Sequence, residues 1–379
     1  MKLKLKKKYL WISFTIIILA CNDKGRPPIL IEKLDLKAKR PTNIILLIGD
    51  GMGLSQISSS FYFNDKLPSF ARFKTIGLIN VTAANSKITD SAAGATSLAC
   101  GIKTFNGAIG VDMSKKPVEN IVELLSKENY QTGLIATSSI THATPASFYA
   151  HVISRDWEEE IAVQMATSSI DFFAGGGLKF FQNRKDGKNM LDLLEENGFA
   201  IHTDVTDQKI DRSKRHAFFL GQEEMLKMIE GRGNFLVKSA QKAVSYFEDN
   251  SAPFFLMVEG SQIDWAGHDN EANYLITELL DFDEMVGSVL DYAEKEGNTL
   301  VIVTADHETG GFTLSGKVTG QNSEGEDEHD YNIIVPTFST TGHSAALIPV
   351  LAFGPHASLF SGFYQNTDIY HKIRKALDQ

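Results

Sequence analysis

NIILLIGDGMG, residues 43–53, begins with a run of branched apolar residues that stops on glycine and aspartate. So short a run with no polar interruption suits a strand covered on both faces. A half-exposed strand or a surface helix would show polar residues at period 2 or 3.6. Similar runs recur at residues 133–137, 254–258, 300–304 and 350–353. Between them, residues 118–129 and 273–295 carry apolar side chains three and four apart, the spacing of a helix face. This alternation predicts an α/β fold in which helices cover a central, mostly parallel β-sheet.

The fold reads as beginning near Pro41, and residues 41–379 read as a single domain. Upstream, residues 1–20 are a basic stretch followed by an apolar run from Tyr9 to Ala20, too short to span a bilayer comfortably. That is the pattern of a signal peptide. It ends on Ala20-Cys21, a small residue before cysteine, which predicts an exported lipoprotein anchored through Cys21, periplasmic or on the outer membrane. A secretory signal that merely carries a cysteine is the alternative, as is an uncleaved short anchor. Residues 21–40 are polar, contain Pro27-Pro28 and read as a tether. Loss of residues 1–20 removes five of 37 basic side chains and none of 47 acidic ones, moving the formal charge from −10 to −15. So acidic a chain repels nucleic acid. Its 379 residues are 43% hydrophobic and 22% charged, which excludes a disordered or fibrous chain. With Cys21 lipidated, Cys100 has no partner for a disulfide. Residues 315–341 are glycine-rich and acidic, a short surface insertion rather than core.

Open parallel sheets gather ligands just beyond the carboxyl ends of their strands. At those ends this chain places Asp50, then Glu259, then Asp306-His307-Glu308; His142 and Thr144 follow residues 133–137 closely. So many acids at one edge repel one another unless cations neutralise them. Nitrogen and carboxylate ligands together suit zinc, while carboxylate and hydroxyl oxygens lean towards magnesium. Asp264 and His268, four apart, share one face if their segment is helical. Ser91, in TDSAAGAT, sits at a helix start, where orphan amides favour an anion; the alternative is that Ser91 only caps the helix.

The ordered motifs IILLIGDGMG, TDSAAGAT, KTFNGAIGVD, THATPASFYAHVISR, VEGSQIDWAGH, TADHETGG and TTGHSAALIPVLAFGP resemble the alkaline phosphatase family along nearly the whole chain after Pro41. The resemblance implies a three-layer α/β/α sandwich and hydrolysis of a broad range of small phosphate monoesters through a phosphoserine on Ser91. By motif, Asp264, His268 and His343 are implied to hold one zinc ion, and Asp50, Asp306 and His307 a second. Asp50 then bridges to a magnesium ion with His142, Thr144 and Glu259, although an imidazole at His142 draws that site towards zinc or cobalt. Arg155 matches the arginine that clamps phosphoryl oxygens. Trp265 stands where some relatives carry a cationic side chain and is expected to wall the pocket. His151, Asp90 and Glu308 match no ligand and read as structural or capping groups.

Two other readings compete with this one. A phosphodiesterase or sulfatase shares the paired-metal core of the superfamily, but generally lacks the Ser91/Arg155 pairing with a full third site. A surface lipoprotein that binds zinc or phosphate without turnover would not need Ser91, Arg155 and every ligand position together. Dimers are usual in the family, and both a homodimer and a monomer stay open for this chain.

Overall fold

The computed structural model describes residues 41–204, 210–250 and 252–378. The signal peptide, Cys21 and the tether lie outside the described residues. The strands in chain order are β1 (Asn43–Gly49), β2 (Thr75–Asn80), β3 (Gln131–Ser139), β4 (Phe172–Gly176), β5 (Phe199–His202), β6 (Arg215–Phe219), β7 (Phe254–Gly260), β8 (Thr299–Thr304), β9 (Glu308–Thr309), β10 (Thr313–Gln321), β11 (Asp327–Thr337), β12 (His343–Ser344), β13 (Ile348–Phe353) and β14 (Gly362–Gln365). The helices are α1 (Leu54–Phe63), α2 (Ser91–Cys100), α3 (Ile121–Lys127), α4 (Ala143–Ala146), α5 (Glu158–Thr167), α6 (Leu178–Gln182), α7 (Met190–Glu196), α8 (Phe235–Asp249), α9 (Gln262–Asp269), α10 (Ala272–Glu296) and α11 (Asp368–Asp378).

Ten strands form one sheet in the order β14-β2-β13-β8-β1-β7-β3-β4-β6-β5. Every pairing is parallel except the two made by β13, which runs against both β2 and β8. The four long apolar runs stand side by side at the centre as β8, β1, β7 and β3. β1 and β7 are buried along their whole length, as uninterrupted apolar sequence requires. Each fully buried Leu or Ile there contributes roughly 1.5–3 kcal/mol relative to exposure.

Helices cover both faces in a three-layer α/β/α arrangement. On one side α10 packs against α1, α8 and α9; on the other α2 packs against α3, α4 and α11. Helix α10 explains its own position: Leu275, Leu279, Phe282, Val286, Val289 and Leu290 are buried at steps of mostly three and four. Two acids on the same face, Glu278 and Asp281, are buried only because Arg232, itself inaccessible, pairs with both. Helix α3 is shorter than residues 118–129, because Asn120 caps it reciprocally with Glu123 and Asn129 adopts a positive φ of 63°.

Register fixes where the central strands end. Ile48 pairs with Glu259 on one side and Thr304 on the other, and Glu259 also pairs with Ala136. Asp50 and Asp306 each follow two residues later, so the carboxylates of three adjacent strands leave the sheet at nearly one level.

Candidate metal centre and nucleophile

Above that edge the structure gathers three sets of donor atoms, each within 4.8 Å of one another. Asp264, His268 and His343 form the first; Asp50, Asp306 and His307 the second; Asp50, His142 and Glu259 the third. Asp50 belongs to two sets because it sits where β1 ends, between the ends of β7 and β8. Asp264 and His268 lie on α9, which is helical as their spacing requires, with His268 Nε2 3.4 Å from Asp264 Oδ2. Gly51 makes the approach of this helix feasible. Its φ is +71°, and a Cβ there would stand 2.8 Å from Asp264 Cα.

The imidazoles are oriented by their second nitrogens. His268 Nδ1 donates to the Thr341 carbonyl at 2.6 Å and His343 Nδ1 to the Thr89 carbonyl at 2.8 Å. The two Nε2 atoms therefore face each other 3.1 Å apart, with His268 Nε2 also 3.4 Å from Asp264 Oδ2. Two ring nitrogens at that distance repel unless a cation or a shared proton lies between them. His307 Nε2 lies 3.4 Å from both Asp50 Oδ1 and Asp306 Oδ2.

Electrostatics point the same way. Burial, then the Asp306, Asp264 and Glu259 carboxylates, push Asp50 well above the usual carboxylate range. Glu259 is pushed up to about 8, chiefly by burial, with Ser261 pulling it back and Asp306 opposing its ionisation. Burial would also raise Asp264, but the bond from His268 and the fields of His307 and His343 hold it low. His268 rises to about 9 through its bond to Asp264. His142 falls to about 3 through burial and then the Arg155 guanidinium, so it is neutral and has one lone pair, which a metal would have to take from Arg155. His343 is lowered by burial and then by His307.

Both Asp50 oxygens, Asp306 Oδ2, Glu259 Oε1 and Thr144 Oγ1 are buried without a hydrogen-bond partner. Native interiors satisfy nearly all such atoms, so this concentration fits bound cations. Nitrogen and carboxylate donors in the first two sets match zinc. The third combines one imidazole with carboxylates, and the Thr144 hydroxyl is buried on α4 just after His142.

Ser91 opens α2, but it is not the cap. Asp90 caps the helix by accepting the Ala93 N–H at 3.0 Å, which leaves the Ser91 hydroxyl free to approach His307 Nε2 at 3.3 Å. Asp90 Oδ2 also accepts the Gly107 N–H at 2.9 Å and faces Arg155 Nη1 at 3.4 Å. Arg155 Nη2 donates to His142 Nε2 at 3.0 Å, and the Arg155 N–H is held by the Gly107 carbonyl at 2.8 Å. Trp265 sets its indole edge-on to His142, with ring centroids 5.8 Å apart. His151 instead bonds Gly110 and Glu123.

Thr309 was not singled out by the sequence. Its hydroxyl donates to Asp264 Oδ1 and lies 3.1 Å from His307 Nδ1, bridging two donor sets. Its position two residues beyond His307, on the same face of an extended segment, was the available signal.

The alkaline phosphatase family model matches residues 41–338. Alkaline phosphatase 4 of Bacillus subtilis (strain 168) is 32% identical over 409 aligned residues, covering 88% of this chain and 88% of the relative. The alkaline phosphatase of the Antarctic bacterium TAB5 is 51% identical with a TM-score of 0.85, covering 90% of this chain and 99% of that one. A histidine-to-aspartate mutant of the TAB5 protein, with magnesium bound in the site called M3, is 52% identical with a TM-score of 0.86 over the same shares.

Proposed function

This chain belongs to the alkaline phosphatase family, and on that premise we propose how its own residues perform the metal-dependent hydrolysis of phosphate monoesters. Ser91 is the nucleophile and Arg155 the phosphoryl clamp. The observation that carries this assignment is the 3.3 Å approach of Ser91 Oγ to His307 Nε2 at the N-terminus of α2, beside buried carboxylate oxygens that have no partner.

Arg155 presents a planar guanidinium that can donate two parallel hydrogen bonds to phosphoryl oxygens, and Asp90 steadies it. The first amides of α2 add positive partial charge at the place where the anion arrives. Attack by Ser91 Oγ forms a P–O bond while the ester P–O bond breaks and the alcohol departs. Water then takes the phosphoryl group from Ser91, restoring the hydroxyl and releasing inorganic phosphate.

Asp264, His268 and His343 would hold one zinc ion, Asp50, Asp306 and His307 a second, and Asp50, His142, Thr144 and Glu259 a third ion. Bound there, such ions supply the Lewis acidity that strengthens the nucleophile and stabilises charge on the departing oxygen. Because His142 contributes nitrogen, the third site leans from magnesium towards zinc or cobalt. Magnesium in M3 of a TAB5 mutant whose histidine became aspartate accords with that preference.

The test is p-nitrophenyl phosphate hydrolysis by wild type and Ser91→Ala, after chelation and after zinc and magnesium are restored. Activity should vanish on chelation and return with metal in the wild type alone. A variant as active as the wild type removes Ser91 from the mechanism, and faster turnover of the bis-ester or the sulfate would overturn the monoesterase reading. Anchoring through Cys21 rests on the residues around it, and fatty-acid labelling that survives Cys21→Ser would exclude it.

A further inference from the structure

Two of the three donor sets meet across a ladder of only two residue pairs, His343 with Thr309 and Ser344 with Glu308. So short a ladder specifies its register weakly through backbone bonds, yet it decides where His343 stands relative to His307. Side chains make up the deficit. Glu308 is 4% exposed, and its Oε1 accepts the Gln56 side-chain amide at 2.8 Å and the Phe312 N–H at 2.9 Å. Its Oε2 accepts the Ser344 hydroxyl. The same Gln56 amide group donates to the Thr309 carbonyl at 2.9 Å, while Gln56 Oε1 accepts the Gly53 N–H at 3.1 Å. A Cβ at Gly53 would lie 2.5 Å from Glu308 Cγ, so this loop closes over the carboxylate only as glycine. The Asp50 loop, the Asp306-His307 segment and the His343 strand are thereby tied to one carboxylate and one amide.

We propose that Glu308 and Gln56 are positioning residues: a clamp that fixes the register of β12 on β9 and so sets how tightly Asp264, His268 and His343 hold their ion. The inference rests on the metal-holding role proposed above. The clamp acts through acceptor positions rather than charge, because every donor to Glu308 is neutral. Glutamine can therefore replace Glu308. Its oxygen can accept from Gln56 and Phe312 while its amide donates to Ser344 Oγ, which accepts as readily as it donates. Alanine cannot, and it strands buried N–H groups without acceptors.

Zinc is titrated into the metal-stripped full chain against a chromophoric competing chelator, for Glu308→Ala, Glu308→Gln and Gln56→Ala, each with and without His343→Ala. Glu308→Ala should weaken zinc binding about 10- to 100-fold while Glu308→Gln stays within about threefold, the range expected when an outer partner of a ligand is lost or conserved. With His343 already removed, Glu308→Ala should cost nothing further, since both changes act on one site. Equal losses with and without His343 would show general destabilisation and overturn the clamp, as would a Glu308→Gln protein as weak as Glu308→Ala. If Glu308→Ala does not fold, Gln56→Ala and Ser344→Ala run through the same cycle, and absence of coupling to His343 is decisive against it. A wild type that takes up no zinc sinks the metal reading itself; a zinc-binding wild type matched by Glu308→Ala and Gln56→Ala sinks only the clamp.

Discussion

Between Glu308 and Ser344 the chain builds two antiparallel ladders that differ in almost everything. The outer one, β9 with β12, has two residues on each strand, lies buried or half-buried, and carries His343 and Thr309, whose hydroxyl lies 3.1 Å from His307 Nδ1. The inner one, β10 with β11, runs to nine and eleven residues and is exposed over most of its length. The long hairpin pairs its inward-facing backbone groups along its own length and leaves the outer ones to water. The short ladder makes few backbone bonds and takes its geometry from Gln56, Glu308, Thr309 and Ser344. Ladder length therefore says little about where the chemistry sits; what matters is which side chains constrain the ladder from outside.

The comparison is broken most severely at Asp50, the one carboxylate shared by two donor sets beside the short ladder. Asp50→Asn should lower kcat/KM for p-nitrophenyl phosphate by more than about 100-fold, beyond the range typical of outer partners, and reduce bound metal by elemental analysis. Full metal content with full activity would show that Asp50 is not shared. Thr309→Val keeps the β-branched shape of a ladder residue and removes only the hydroxyl between Asp264 and His307. A loss of about 10- to 100-fold in zinc affinity is expected, read in the same chelator competition. An unchanged affinity would mean that the hydroxyl bond is incidental.

Legibility in the sequence followed burial. The runs that became β1, β3, β7 and β8 are apolar because both faces are covered, so they could be read directly. The short outer strands β2, β4, β5, β6 and β14 were not read, and nothing in residues 350–353 reveals that β13 runs backwards, since an apolar run carries no direction. Residues 315–341 are mostly exposed, and the strands within them were not read, because a ladder exposed on both faces lacks the alternation that marks a half-buried one. The eleven candidate site residues gather above one sheet edge; strand ends pointed there for Asp50, His142, Thr144, Glu259, Asp306 and His307, whereas helical position suggested Ser91, Asp264 and His268, and Arg155 and His343 came from motif resemblance alone. The groups that orient them were hidden. Thr341 and Thr89 act through carbonyls, which every residue type possesses, and Gln56 acts across 252 positions to reach Glu308.

A milder change sharpens the contrast in metal chemistry. His142→Asp replaces the only nitrogen in the third donor set with oxygen. Preference should then move towards magnesium, with stimulation by millimolar magnesium rising on the order of tenfold while zinc dependence at the other sets persists. Equal magnesium stimulation of variant and wild type would show that the imidazole does not set the preference.

The smallest effect is expected where the longest ladder is cut. Gly316 pairs with Ile334, and the register shifts immediately beyond Gly316. Residues 314–316 and 334–336 are half-buried, whereas residues 317–333 are almost all exposed. Both ends of the hairpin touch the site, through the Phe312 N–H on Glu308 and the Thr341 carbonyl on His268, so the cut must spare them. Replacing residues 317–333 with Asn-Gly, a pair suited to a two-residue hairpin turn, meets that condition. Single substitutions at exposed positions usually shift stability by no more than about 0.5 kcal/mol, and the residues removed are almost all exposed. Activity and zinc affinity should accordingly remain within about twofold of wild type. A large loss of zinc affinity in this shortened chain would show that the arm steadies the ladder beneath it, and the separation between the two ladders would fail.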